Sequence, residues 1–331
     1  MTTASAVRRS PALGAAYVLT GAFLFGFNGS MTKVVLQAGI TAQQLTLFRV
    51  LGTALIAGAV LLVTDRAQFR VTLRELRAFA LLGIGGLAMV QWLYAVAIAH
   101  LPVGVALLFE YMAVIIVALV ARVVFKERVH PRLWWAIAAV LAGLAVVAQV
   151  WDSNLSVLGV LAGLGAACAY ALYFLAGERS VAGRPPMAVA FWAAAFATAF
   201  WLVFSHWWTM PAGTLTAEVS YGGTLDFIAT PMWLPLVAMV ALGAFAPFTL
   251  IFMSLRHLSA TASGVLASSE VLFAFIVAWL WLGETLAPLQ LAGAAVVFVG
   301  IVVAQTARER PPGPATDADD AFALGVPPEV P

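Results

Sequence analysis

The chain has 331 residues, 63% of them apolar and 10% charged, with a formal net charge of +2. A soluble globular domain carries about 25% charged residues, whereas a bilayer core about 30 Å thick accepts apolar helices of roughly 20 residues each. The composition excludes an ordinary soluble fold and implies an all-α integral membrane protein.

Runs of predominantly apolar residues predict ten spans, at 13–36, 45–63, 78–98, 103–125, 133–150, 157–175, 187–207, 232–255, 260–282 and 288–304. Residues 1–12 precede the first. Arg8 and Arg9 there could belong to a signal peptide, but the run continues past signal length without a small-x-small cleavage site, so it reads as a retained span. The twin arginines also lack the flanking residues of a twin-arginine signal. Span one carries Asn28 beside Gly29 and Ser30, and Lys33 toward its outer end; span two carries Arg49. In span three, Gln91, Trp92 and Tyr94 form a polar-aromatic group. Glu110 and Tyr111 follow in span four, about 10 Å from its outer end at 1.5 Å per residue. Span six holds Tyr170, Tyr173 and the one cysteine, Cys168, which permits no internal disulfide and reads as a small packing residue. Gly159 and Gly163, also in span six, have the spacing that allows close helix packing. A polar, Gly/Thr-rich stretch at 211–231 separates spans seven and eight. Span nine carries Ser268, Ser269 and Glu270, the last about 15 Å deep and close to the midplane. Beyond span ten, 307–331 is a Pro/Ala/Asp-rich tail that reads as disordered.

Basic residues set the orientation. With the N-terminus cytoplasmic and all ten spans crossing, the inside segments hold Arg8, Arg9, Arg66, Arg70, Arg74, Arg77, Arg122, Lys126, Arg128, Arg132, Arg179, Arg184, Arg256, Arg308 and Arg310. Only Lys33 and Arg49 remain of the 17, both within spans. Cytoplasmic retention of Lys and Arg explains this asymmetry, and places both termini in the cytoplasm. No nucleic acid is needed to account for the charge.

A short word occurs twice. "VFKERVHP" at 124–131 and "WLGETLAP" at 281–288 each end an apolar run in a glutamate, Glu127 or Glu284, with a proline four residues later. At an offset of 157 the alignment extends to His100/His257, Leu101/Leu258, Ala138/Ala295, Gly143/Gly300 and Val146/Val303. Five spans per half is an odd number, so the second copy is inverted. Inverted repeats are typical of secondary transporters, whose substrate site lies near the midplane between the halves. Aligning "FGFN" with "YALY" likewise makes spans one and six equivalent, pairing Phe25 with Tyr170 and Asn28 with Tyr173.

These words, "LGE" after span nine, "FKER" after span four, "FGFNGSMTK" in span one and "ACAYALYFLAGER" in span six, resemble the EamA-type members of the drug/metabolite transporter superfamily. The likeness covers about residues 13–306. It implies ten transmembrane helices in two inverted five-helix repeats, 13–150 and 157–304, around a central cavity, in a bacterial inner membrane. Many bacterial members export amino acids or other small metabolites. A proline found midway along the fourth and ninth helices of many members is absent from "EYMAVII" and "SSEVLFA", so no proline kink is implied there.

An ionisable side chain inside a span costs roughly 2.5–3.5 kcal/mol on insertion scales unless it faces protein or water. Glu270 reads as a cavity carboxylate for a cationic or amino group, or as a proton carrier sharing hydrogen bonds with Ser268 and Ser269; the alternative is a structural carboxylate bonded to a neighbouring helix. Glu110 divides the same way. Lys33 and Arg49 either snorkel to the interface, or face the cavity and pair with Glu110 or a substrate carboxylate. Asn28, Gln91, Trp92, Tyr94, Tyr111, Tyr170 and Tyr173 complete the candidate lining, with helix packing as their alternative role. His100 and His257 read as turn residues, and Trp134, Trp135, Trp207, Trp208 and Trp233 as an interfacial belt. Histidines and the cysteine have no clustered ligand spacing, and there is no P-loop or G-x-S-x-G, so no metal, nucleotide or other cofactor is expected and no catalytic residue is assigned. The expected function is alternating-access export of a small metabolite, an amino acid or analogue, with protons as a candidate coupling ion. The alternatives are an uptake permease or facilitator, a channel, and a membrane enzyme, which the short Asp- and His-poor loops disfavour.

Overall fold

The computed structural model describes residues 10–124, 131–147, 156–181, 183–254, 257, 266–267 and 269–306. Helix α1 (Pro11–Gln37) opens on Ser10, whose hydroxyl accepts from the Leu13 N–H, with Pro11 at the first helical position. Helix α2 (Ala42–Thr64) opens on a capping box: the Thr41 hydroxyl accepts from the Gln44 N–H at 3.3 Å, and the Gln44 side chain accepts from the Thr41 N–H at 3.1 Å. Helix α3 runs through Leu73–Ala80, a π-helical Leu81–Ala88 and Met89–His100, and starts on a second capping box, Thr72 with Glu75. Helix α4 comprises Val103–Tyr111 and Ala113–Val123, and α5 is Arg132–Val147. Helices α6 (Val157–Val181) and α7 (Pro186–Phe204) follow. Strands β1 (Glu218–Ser220) and β2 (Ala229–Pro231) pair antiparallel, Val219 opposite Thr230. Helix α8 runs through Trp233–Val240, a π-helical Ala241–Phe245 and Ala246–Ser254; α9 is Ser269–Val277 with a π-helical last turn, Ala278–Leu282; α10 is Pro288–Thr306.

Among the described residues, five helices are long and apolar enough to cross a membrane: Pro11–Gln37, Ala42–Thr64, Leu73–His100, Val157–Gly177 and Pro186–Phe204. Shorter apolar helices stand at the other five expected positions. The polar stretch at 211–231 contains the β-hairpin, whose backbone groups pair with each other. Helix α4 is interrupted at Met112 although no proline is present, the local bonding tightening to Met112 N–H on Phe109 O at 3.1 Å. The outer surface is apolar, as lipid requires: Leu55, Val63, Leu161, Val203 and Val299 are all exposed, and so are the five tryptophans expected at the interface. Cys168 is exposed on α6, which corrects its reading as a packing residue. Residues 1–9, 125–130 and 307–331, including Lys126 and Glu127, lie outside the described residues, as does Ser268.

Helices of one half pack mainly on helices of the other. Helix α1 packs on α8 and α9, α6 on α3 and α4, α2 on α7, and α5 on α10. Exchanging the halves leaves this set of pairings unchanged. Close contacts repeat it in detail. A methyl group added to Gly143 would lie 2.8 Å from the Gly293 carbonyl oxygen and 2.7 Å from Val297; one added to Gly300 would lie 3.1 Å from the Ala136 carbonyl and 2.6 Å from Val140. Each residue of one set is 157 positions from its counterpart, and the contacts make α5 and α10 antiparallel. Likewise Gly86, in the π-helical part of α3, meets Tyr173, and Gly243, in that of α8, meets Asn28. Gly159 and Gly163 admit Leu101 and Phe109 of the α3–α4 region against α6, the close packing their spacing predicts.

Contacts sort the loops to two ends. At one, the His257 ring accepts from the Ser10 N–H at 3.3 Å, and Arg184, between α6 and α7, pairs with Glu75 at 2.7 Å and bonds Arg70 O at 2.8 Å. At the other, where α1 and α3 finish, lie the α3–α4 turn, the hairpin and the α9–α10 turn. The hairpin is fastened to the end of α9: the Thr224 hydroxyl donates to Leu280 O at 2.8 Å, and the Trp281 indole donates to Tyr221 O at 2.9 Å.

Candidate functional site

Glu110 and Tyr111 close the first stretch of α4 and are 8% and 7% exposed. Immediately after them the helix breaks at Met112. Glu270 lies in the first turn of the described part of α9, half-buried, and the Tyr111 hydroxyl donates to its Oε2 at 2.7 Å. This bond joins the two halves through side chains predicted from both. Ser269, expected to share hydrogen bonds with Glu270, donates instead to Leu266 O at 2.6 Å.

Arg49 lies about 10 Å along α2 from its start and is 7% exposed, so it does not snorkel. Its Nε is buried without a hydrogen-bond partner, and it takes part in no ion pair among the described residues. Glu110 and the phenol of Tyr94 act electrostatically on the guanidinium. Glu110 and Glu270 act on each other electrostatically, and both act on Tyr94 and Tyr170. The structure therefore gathers Arg49 of α2, Tyr94 of α3, Glu110 and Tyr111 of α4, Tyr170 of α6 and Glu270 of α9 into one electrostatic group. Tyr173 stacks beside Tyr170, ring centroids 6.2 Å apart.

The remaining candidates lie around or away from this group. The side-chain oxygens of Asn28 and Gln91 and the indole nitrogen of Trp92 are buried with no hydrogen-bond partner, a condition that costs about 1–3 kcal/mol for each group. Asn28 faces Gly243 of α8. Trp92 packs with Trp201 of α7, centroids 5.6 Å apart, inside a cluster between α2 and α7. The Trp201 indole nitrogen is also buried without a partner; no local pattern in the sequence distinguishes it from other span tryptophans. Lys33 does not pair with Glu110. It pairs with Glu284, and also reaches Leu101 O at 3.4 Å. Two cavities of about 430 and 440 Å³ lie near the hairpin and beside Glu284, and neither is lined by Arg49, Glu110 or Glu270. Among the described residues no His, Cys, Asp and Glu cluster could hold a metal ion.

Chemically, the neighbourhood offers a buried guanidinium, two carboxylates and the Tyr111 hydroxyl bonded to one of them.

The model of the EamA-like transporter family matches residues 12–149 and again 157–306. The threonine/homoserine exporter RhtA of Escherichia coli (strain K12) is 27% identical over 264 residues, 79% of each chain. The protein of the same name from Salmonella typhimurium (strain LT2) is 27% identical over 286 residues, 85% of this chain and 86% of its own. The uncharacterized transporter YdfC of Bacillus subtilis (strain 168) is 27% identical over 271 residues, 80% and 81% of the two chains. One crystal structure superposes with a TM-score of 0.58 at 18% identity, over 89% of this chain and 97% of its own, a likeness of fold.

Proposed function

The chain belongs to the EamA-like transporter family, and from that premise we propose that it is a secondary active transporter exporting a small metabolite, an amino acid or analogue, across a bacterial inner membrane by alternating access. The observation that carries this reading is the group at the junction of the halves: buried Arg49, Glu110 and Tyr111 from one, half-buried Glu270 from the other, with Arg49 in no ion pair among the described residues. A buried charge left unpaired is costly, and a substrate carboxylate would complete it. Glu270, held by Tyr111, and Glu110 would take the amino group, with Tyr94, Gln91, Trp92, Tyr170, Tyr173 and Asn28 around them. Relatives named as threonine/homoserine exporters are transporters of the same family, which makes amino acids the first solutes to test.

The proposed architecture is ten spans in two inverted repeats, 13–150 and 157–304. It is supported by the two family matches, by helix pairings that survive exchange of the halves, and by an antiparallel α5–α10 contact that maps onto itself at an offset of 157. A two-fold axis relating antiparallel membrane helices lies in the membrane plane, which inverts one half relative to the other. The basic residues then assign the end holding Arg184 and Glu75 to the cytoplasm and the hairpin end to the outside. Rocking of the halves exposes the charged group to each side in turn. With protons as the coupling ion, Glu270 would be protonated when empty and give up its proton as an ammonium group arrives.

The test uses the purified full chain in proteoliposomes. External labelled L-threonine should accumulate against an internal unlabelled pool, since a carrier exchanges and a channel does not. Glu270→Gln should abolish pH-dependent export while expression and insertion persist. Wild-type export with unchanged pH dependence in that variant removes Glu270 from the mechanism, and failure of every amino acid to raise the melting temperature of the purified protein would overturn the substrate class.

A further inference from the structure

We propose that Lys33 and Glu284 form a latch that holds the hairpin end of the bundle shut, and that each opening of that end breaks it. Gly283, at φ +69°, ends α9 in the left-handed conformation that glycine adopts without strain and turns the next residue back toward the bundle. Glu284 then divides its carboxylate. One oxygen meets the Lys33 ammonium, and the other accepts the Val103 N–H at 2.9 Å. Lys33 closes the triangle on Leu101 O at 3.4 Å. Three segments meet there: the last turn of α1, the α3–α4 turn and the α9–α10 turn.

The contact is more than a surface ion pair. Its side chains are only 20% and 16% exposed, so the charges are weakly screened. The Val103 N–H is one of the donors that the start of a helix leaves unpaired, and a carboxylate there is favoured by the helix dipole. Charge-assisted hydrogen bonds of this kind are roughly twice as strong as neutral ones. Lys33 and Val103 belong to the first half and Glu284 to the second, so the halves cannot separate at this end with the contact intact. The latch also hangs on the helices that carry the buried group: Val103 starts the stretch of α4 ending in Glu110 and Tyr111, and Glu284 follows α9, which carries Glu270. A change at the Tyr111–Glu270 bond is thereby mechanically connected to the closure. This gives "LGE" a task, the glycine turning and the glutamate locking. That this end is the outer one rests on the orientation proposed above; the latch itself does not.

The experiment follows a thiol below the latch. Ser30 is fully buried about one turn before Lys33. In a Cys168→Ser background, Ser30→Cys is labelled with a membrane-impermeant maleimide in right-side-out and in inverted vesicles. Lys33→Met and Glu284→Gln should each speed labelling from one side by roughly tenfold or more, the scale of losing charge-assisted bonds, while Lys33→Arg keeps the slow rate. Acceleration from the outer face supports the latch and the orientation; acceleration from the inner face supports the latch and reverses the orientation. Unchanged rates from both faces in folded, monodisperse variants overturn the latch. Should a variant fail to fold, Lys33→Cys with Glu284→Cys in the Cys168→Ser background, joined through two disulfides by a short bis-methanethiosulfonate, decides the matter: counterflow must stop when bridged and return on reduction, and counterflow through the bridged protein overturns the proposal.

Discussion

Arg49 and Lys33 occupy similar places near the ends of their spans, yet their surroundings differ entirely. Lys33 meets a carboxylate, whereas Arg49 is buried with its Nε unpartnered. Cationic side chains inside a span are destabilising by roughly 2.5–3.5 kcal/mol on insertion scales, so Arg49 is held against stability. Arg49→Met should therefore raise the melting temperature of the substrate-free protein, by an amount corresponding to about 1–4 kcal/mol, the range seen when buried ionic groups are replaced by apolar side chains of similar volume. It should at the same time abolish the stabilisation that an added amino acid produces. A lower melting temperature, with substrate stabilisation intact, would make Arg49 a structural residue. The charged candidates were visible in the sequence because charge is so rare in a span. Their partners were not. Nothing in "LASSEVLF" says that Glu270 turns to Tyr111 rather than to the adjacent Ser269, because that choice is made by a helix 159 positions away.

At the level of elements, the positions of the helices could be read directly, since each bilayer crossing demands an apolar run. Which helix packs on which could not. Apolar side chains gain no hydrophobic driving force from each other in lipid, so contacts depend on small residues that let backbones approach, and small residues abound throughout this chain. The repeat resolves this for α5 and α10, where Gly143 and Gly300 occupy equivalent niches. Gly143→Leu and Gly300→Leu should destabilise the protein similarly, by about 1–3 kcal/mol each as overpacking costs, measured as paired losses of melting temperature. A large effect at one and none at the other would contradict the equivalence. The π-helical stretches in α3 and α8 show the same correspondence: each places a glycine, Gly86 or Gly243, against the helix that begins the opposite half. Apolar periodicity carries no sign of such a change in winding.

On the scale of the whole molecule, the two ends are built differently. One is tied by Arg184 to Glu75 and to the backbone of Arg70; the other is tied by Lys33 and Glu284 and roofed by a short β-hairpin. The hairpin falls in a stretch the sequence marks only as polar, because strands of three residues leave no alternation to detect. Its attachment through Thr224 and Tyr221 to the terminal turn of α9 makes it a passive pointer, carried wherever that helix goes. Phe227, at its tip and 82% exposed, can be exchanged for a cysteine bearing an environment-sensitive dye in the Cys168→Ser background. The emission should shift when an amino acid is added and stay fixed in Glu270→Gln; a dye indifferent to substrate in an active protein would separate the hairpin from the motion. An antibody fragment gripping the same tip should arrest the cycle when added to the face that carries the hairpin, without entering the membrane or competing with the solute.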